Sequence, residues 1–219
     1  MGSIRKLIII PAFSEELTIS KVVQNAKIYG DVLVINDASQ DNTQYEAIKT
    51  GASILNNRLN IGYDKSIMLG LKHAIENEYD LVVSIDADNE FKSENIKYLF
   101  ENLEEGNDLV IGSRPSKNIS RYVEKKIVNL CNKKFGVEDI FCGMKGYRVK
   151  ALEEIGIKNK VNKTDFIGIY PSLELLKIGK PFSNLSVKMN ELRKNSRFYK
   201  NFSSYLKVLR IYIQILLNY

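Results

Sequence analysis

The sequence predicts an α/β protein built on a Rossmann-like, mainly parallel sheet flanked by helices, with an amphipathic helix at the C-terminal end. Short apolar runs alternate with longer amphipathic segments over the first half of the chain, the pattern of successive βαβ units. Several of the runs end in loops rich in carboxylates, as at "PAFSEE", "NDASQDNT" and "DADNE". Toward the end of the chain, Lys207, Arg210 and Gln214 recur at helical spacing while Leu206, Leu209, Ile213, Leu216 and Leu217 cover a broad apolar face.

Residues 7–10 read as the first strand, and Ser14 is placed to cap a helix over residues 15–29. A second strand follows at 32–35, then a helix after Asp41, a third strand near 53–55 and a helix over 65–76. The fourth strand is expected at 81–85, with Ser93 capping the next helix, and the fifth at 109–111. Beyond it the alternation lapses. The expected organisation is one domain over residues 1–192 and a basic amphipathic tail over 193–219.

With 219 residues, 44% of them hydrophobic, the chain can bury a substantial core. A net charge of +6 fits an anionic partner: a phosphate-bearing ligand, a membrane surface or nucleic acid. The last is not expected, because no nucleic-acid motif is present and the basic residues are not interleaved with stacking aromatics. Cys131 and Cys142 are too few for a disulfide scaffold or a four-cysteine zinc site, so they read as packing residues in a reducing cytosol. His73 is the single histidine, which argues against a Ser-His-Asp triad or a histidine-rich metal site. The apolar run in "KLIIIPAF" is short and broken by proline, so no signal peptide is expected.

The uncharged run after Arg210 is about half of the ~20 residues that a membrane span needs. The tail is therefore expected to lie on a membrane, pack on the body or pair with another copy in a homo-oligomer. Arg193, Lys194, Arg197 and Lys200 favour an anionic lipid surface and hence a cytoplasmic protein held peripherally at the membrane.

The most informative stretch is "SIDADNEF", which sets Asp86, Asp88 and Glu90 at the mouth of a buried strand. Like charges that close repel, so a cation is expected among them. In an extended segment alternate side chains point the same way, which would let the three converge on one divalent ion. Neither the dinucleotide fingerprint nor a P-loop is present, so no glycine-rich backbone is on hand to cradle phosphates. A carboxylate-bound ion would instead bring a diphosphate into an acidic pocket.

Six blocks then occur in order: "IIIPAFSEE", "VLVINDASQDNT", "NIGYDKSIMLGLKHA", "VVSIDADNEF", "LVIGSR" and "DIFCGMKGYR". Over roughly residues 4–148 the chain resembles family-2 glycosyltransferases of the GT-A fold, in the branch with dolichyl-phosphate mannose synthase and dolichyl-phosphate glucosyltransferase. The resemblance implies that Pro11, Ala12, Phe13 and Glu15 line the nucleotide pocket, and that Asp37 contacts the base, with Asn36 where the family usually has a further aspartate. It implies that Asp86, Ala87 and Asp88 form the D-x-D that binds donor and metal, Mg²⁺ or Mn²⁺, and that Glu90 stands where mannose synthases tend to have a glutamine. Arg114 matches an arginine near the phosphates, and Asp139 an aspartate close to acceptor and sugar. Arg121 and Lys125, one helical turn apart, could join Arg114 on an acceptor phosphate.

The expected activity is metal-dependent, inverting transfer of a hexosyl group from a UDP- or GDP-sugar to a polyprenyl or dolichyl phosphate, with Asp88, Asp139 and Arg114 as catalytic residues. A soluble transferase acting on a saccharide or peptide hydroxyl would share the donor half but need a base, for which Asp139 is the candidate. A non-catalytic sugar-nucleotide-binding protein is the third expectation, against which the intact Asp86 and Asp88 argue.

Overall fold

The computed structural model describes residues 2–115, 122–160 and 168–190. Strands β1 (Lys6–Ala12), β2 (Asp31–Asn36), β3 (Ser53–Asn56), β4 (Leu81–Ser84), β5 (Leu109–Ser113), β6 (Lys145–Arg148) and β7 (Phe182–Ser186) form one sheet in the order β3-β2-β1-β4-β6-β5-β7. Every pairing is parallel except those of β6, which runs antiparallel between β4 and β5. Helices α1 (Ile19–Ala26) and α4 (Glu94–Glu104) cover one face, while α3 (Tyr63–Glu76), α6 (Val149–Glu154) and α7 (Tyr170–Lys177) cover the other. Helices α2 (Thr43–Lys49) and α5 (Tyr122–Phe135) complete the set.

Burial on both faces explains why the central strands read as unbroken apolar runs. In β1, Leu7 and Ile9 pack under Leu71 and Ile75 of α3, while Ile8 and Ile10 pack against Val22 and Val23 of α1. Gly70 lets α3 approach closely, because a Cβ there would stand 2.9 Å from Ile9 Cγ2. Pro11 lies in the same strand without breaking the sheet. Its missing N–H falls on the β4 side, past the last β1–β4 pair at Ile9 and Ser84, so no ladder bond is lost. The two strands part there, and a crevice opens at their carboxyl ends.

Two local expectations are corrected. Helix α1 begins at Ile19 rather than at residue 15, and Ser14 is not its cap. Ser14 is left-handed (φ 55°) and donates its N–H to Ser39 Oγ at 3.0 Å, so the loop after β1 is drawn toward β2 before the helix starts. Ser93 does occupy the N-cap position of α4 but makes no side-chain cap bond there. Strand β6 was not foreseen, since "KGYR" is too short and polar to read as buried. The C-terminal amphipathic helix, with Arg193 and the residues after it, lies outside the described residues.

The segment after β7 returns to the site and braces it. Lys188 N–H donates to Asn95 Oδ1 at 2.9 Å, and Asn95 Nδ2 donates to Lys188 O at 2.7 Å. Asn190 Nδ2 donates to Asn89 O at 2.9 Å and to Phe91 O at 3.1 Å, spanning the turn that carries Glu90. Asn190→Ala should leave these carbonyls without their partner and destabilise the chain by about 1–2 kcal/mol. Denaturant unfolding at fixed pH measures that loss.

Candidate active site

The site gathers at the carboxyl ends of β1, β2 and β4. Ser14 (φ 55°), Ala38 (φ 60°) and Asn89 (φ 60°) are non-glycine residues held left-handed in these three loops, a strain of about 1–3 kcal/mol each that the surrounding structure must enforce. The enforcement is visible as cross-links between the first two loops. Glu15 N–H donates to Thr43 Oγ1 at 2.7 Å, Glu16 N–H to Asp41 Oδ2 at 3.3 Å, and Asn42 N–H to Glu16 Oε2 at 3.0 Å. Burial alone would raise the Asp41 carboxyl, but donors from Thr43 and Glu16 outweigh it and hold the pKa below the ordinary value.

Pro11 and Ala12 are buried at the crevice wall, Phe13 is exposed at its rim, and Glu15 is half-buried and accepts from Thr18 Oγ1 at 2.9 Å. Asp37 is buried and heavily used by the protein itself. Its Oδ1 accepts from Asn57 Nδ2 and Ile61 N–H, both at 2.9 Å, and its Oδ2 accepts from Gly62 N–H at 2.8 Å. With about four acceptor positions on a carboxylate, roughly one remains for a ligand. Asn36 is bound to Asn56 and to Ser39 N–H, so it braces the loop from within.

Beyond β4 the chain does not stay extended. Residues 87–88 form a turn and Asn89 is left-handed, so the alternation that would converge Asp86, Asp88 and Glu90 is lost. Among the described residues no three His, Cys, Asp or Glu side chains are grouped closely enough to hold a metal ion. The three carboxylates nevertheless act on one another. Burial, then the charge of Asp88, pushes Asp86 up to about 6, and burial followed by Asp88 and Asp86 pushes Glu90 up to about 7. Ala87 belongs to the core under α1 and α4, so it offers the site only its backbone.

On the opposite wall Arg114, after β5, meets Asp139, which is fully buried. Arg114 Nε donates to Asp139 Oδ2 at 2.7 Å and Nη2 donates to Oδ1 at 3.1 Å, a two-pronged pair. Burial works against the Arg114 charge, but Asp139 more than offsets it and keeps the guanidinium firmly protonated. Lys125 is exposed on α5, and Arg121 lies outside the described residues.

Two contributors went unread in the sequence. Lys145 of β6 is buried beneath the site, where burial lowers its pKa while Asp139 and Asp86 support its charge. Tyr63, at the start of α3, donates its hydroxyl to Asp86 Oδ1 at 2.8 Å, and burial and the Asp86 charge keep that hydroxyl protonated. Neither carries a local signal, because each gains its meaning from a partner distant in sequence. His73 lies at the other end of α3, lining a polar cleft with Lys27, Asp31 and Tyr79.

The donor set is oxygen-rich, the chemistry a divalent cation takes, but it is not a preformed three-ligand cage: Asp86, Asp88, Glu90 and Asp139 interact with one another and with Arg114 and Lys145. Gly143 lies so close to Asp86 that a Cβ would overlap its carboxylate, so the backbone has made room for that group.

Residues 7–156 match the profile of Glycosyl transferase family 2. The chain belongs to glycosyl transferase family 2. It is 37% identical over 120 residues to an uncharacterised protein of Methanocaldococcus jannaschii, covering 51% of this chain and 52% of that one. The chain thus spans about half the length of that relative. It is 28% identical over 172 residues to the undecaprenyl-phosphate mannosyltransferase of Micrococcus luteus, covering 70% of each. Among solved structures, glucosyl-3-phosphoglycerate synthase of Mycobacterium tuberculosis superimposes with a TM-score of 0.74 at 16% identity, over 98% of this chain and 79% of that one. The sheet accordingly has the GT-A arrangement that the sequence blocks implied.

Since Asp86 and Glu90 bind protons more tightly folded than at their ordinary values of 3.8 and 4.5, they cost the folded state stability as pH rises from about 4 to about 7. In chelator, an Asp86→Asn, Glu90→Gln variant should therefore melt above the wild type at pH 8, with the gap closing toward pH 5. Parallel melting curves across that range would show that these carboxyls do not titrate in this window.

Proposed function

We propose that this glycosyltransferase moves a hexosyl group, with inversion, from a nucleotide-diphosphate sugar to a polyprenyl phosphate, with Mg²⁺ or Mn²⁺ at the acidic crevice. The observation that carries the acceptor half is the Arg114–Asp139 pair. Asp139 takes two of the five guanidinium N–H donors and leaves three for a phosphate. Arg114 would orient that phosphate beside the crevice, and Arg121 and Lys125 are the further basic candidates for it. A phosphate monoester is largely ionised near neutral pH, its second pKa being about 6, so its oxygen can attack the sugar carbon without a strong base. A hydroxyl acceptor would need one, and Asp139, with both oxygens committed to Arg114, is placed as an anchor instead.

The donor half rests on the loops of β1, β2 and β4. Asp37 and the backbone it braces would hold the base, with Pro11, Ala12, Phe13 and Glu15 along the pocket wall. Asp88 and Asp86, assisted by Glu90, would hold the cation, whose chemistry is to neutralise the leaving diphosphate. The relatives support this reading: the Micrococcus luteus protein is an undecaprenyl-phosphate mannosyltransferase, and a polyprenol monophosphomannose synthase of Mycolicibacterium smegmatis is 26% identical over 172 residues. The Mycobacterium tuberculosis synthase has been solved with Mn²⁺, UDP and phosphoglyceric acid. We place the protein at the cytoplasmic membrane surface, held by the basic tail beyond residue 192. Among the described residues no helix is long and apolar enough to cross a membrane.

Asp88→Asn keeps the shape and removes one charge from the cation's ligands. Transfer from UDP- or GDP-sugar to a polyprenyl phosphate should fall by about a hundredfold or more while the fold survives. Wild-type turnover in this variant would remove Asp88 from the mechanism. Melting with UDP or GDP should show stabilisation chiefly when Mn²⁺ or Mg²⁺ is present. Equal shifts in EDTA would remove the metal from donor binding.

Flotation tests the tail. The full chain should bind vesicles containing anionic lipid, less so as salt rises, and deletion of residues 205–219 should release it without weakening donor binding. Indifference to such vesicles at low salt would argue against the membrane surface.

A further inference from the structure

We propose that Tyr63 is the positioning residue for Asp86: its hydroxyl fixes the carboxylate in one orientation and thereby sets the affinity of the crevice for a divalent cation. The inference rests on the metal-dependent reading above. It starts from the 2.8 Å bond that Tyr63 Oη donates to Asp86 Oδ1. A hydrogen bond alone would be unremarkable, but both ends of this one are held by the surrounding backbone.

On the tyrosine side, the chain entering α3 is pinned by Asp37, which accepts from Ile61 N–H at 2.9 Å and Gly62 N–H at 2.8 Å. Gly62 turns the chain with φ 89°, a conformation that favours glycine, and Tyr63 follows as the first helical residue. The ring is backed by Gly168, where a Cβ would stand 3.2 Å from Tyr63 Cε1. The phenol therefore has little room to retreat from Asp86.

On the aspartate side, Gly143 confines the carboxylate, since any Cβ there would overlap both of its oxygens. Gly143 is itself tied to β4, because Ser84 Oγ donates to Gly143 O at 2.9 Å. Asp86 is thus enclosed between a fixed hydroxyl donor and a fixed backbone. With Oδ1 committed to Tyr63, the carboxylate is presented to a cation ready-oriented, instead of losing rotational freedom when the ion arrives. Hydrogen-bond partners that orient a metal-ligating group typically change metal affinity by about 10–100-fold when removed. Tyr63 has the geometry of such a partner. It also links the β2 end of the site, through Asp37, to the β4 end.

The test is thermal melting of the full chain, in excess UDP or GDP, as Mn²⁺ is titrated from chelator to saturation, with the wild type beside Tyr63→Phe. Phenylalanine keeps the ring against Gly168 and removes only the hydroxyl. The Mn²⁺ midpoint should move about 10–100-fold higher, while the melting temperature reached at saturation returns to the wild-type plateau. An unchanged midpoint overturns the proposal, and so does a lowered baseline in chelator with the midpoint in place, which would make Tyr63 a packing residue only. Gly143→Ala provides a second variant, because its Cβ meets the Asp86 carboxylate first and should displace it from the Tyr63 hydroxyl, moving the midpoint in the same direction. If the wild type shows no response to Mn²⁺, the metal-dependent reading itself fails and this inference with it. A wild-type response that Tyr63→Phe leaves intact removes the inference alone.

Discussion

Repulsion among carboxylates in a confined crevice is the constraint on which the rest of this structure depends. Asp86, Asp88 and Glu90 lie in one short turn, and burial there raises both Asp86 and Glu90 before their mutual charge raises them further. A sheet end carrying such a load has to be held in shape by something other than its own attractions. The bracing comes from neutral donors and from backbone. Asn190 spans the turn through two carbonyls, and Asn95 fixes the 188 segment from the other side. The left-handed residues at Ser14, Ala38 and Asn89 mark where this bracing overrides local preference.

Cations answer the same repulsion, and where they come from explains the one irregular feature of the sheet. A wholly parallel arrangement would present only strand carboxyl ends to the crevice. Strand β6 enters antiparallel, so its first residue, Lys145, arrives beside Ser84 at the end of β4. The ammonium is thereby carried into the interior under Asp86 and Asp139, where it is disfavoured by burial and retained by those charges. Arg114 reaches the same region from the end of β5, held by Asp139. The antiparallel strand is thus part of the charge arrangement as well as of the sheet.

This division also accounts for what could be read in the sequence. The central strands were legible because burial on both faces writes an unbroken apolar run, as in the "LIII" of β1. The acidic cluster and Arg114 were legible because they occur in blocks. Helix α1 was misplaced at its start because Ser14 has the chemistry of a cap but is diverted by Ser39, a residue of another loop. The extended spacing that would converge the three carboxylates gives way because Asn89 turns the chain. Lys145 and Tyr63 had no local signature, since the first matters through a strand pairing and the second through α3 packing beside β4. What the sequence hides are relations between distant segments.

Those relations bear on specificity. Asp37 looked like a residue free to meet a base, yet most of its acceptor capacity supports the approach to α3. The group that would touch the nucleotide and the group that places Tyr63 are therefore one carboxylate. A change at Asp37 made to alter base preference would also loosen the start of α3, and through Tyr63 the hold on Asp86. Coupling of this kind is expected to make substitutions at Asp37 and Tyr63 non-additive, because Asp37 pins the backbone immediately before Tyr63. The loop after β2 and the acidic crevice are in that sense one mechanical unit, assembled from β2, α3 and β4, and the wall with Arg114 and Asp139 forms the other half of the cleft.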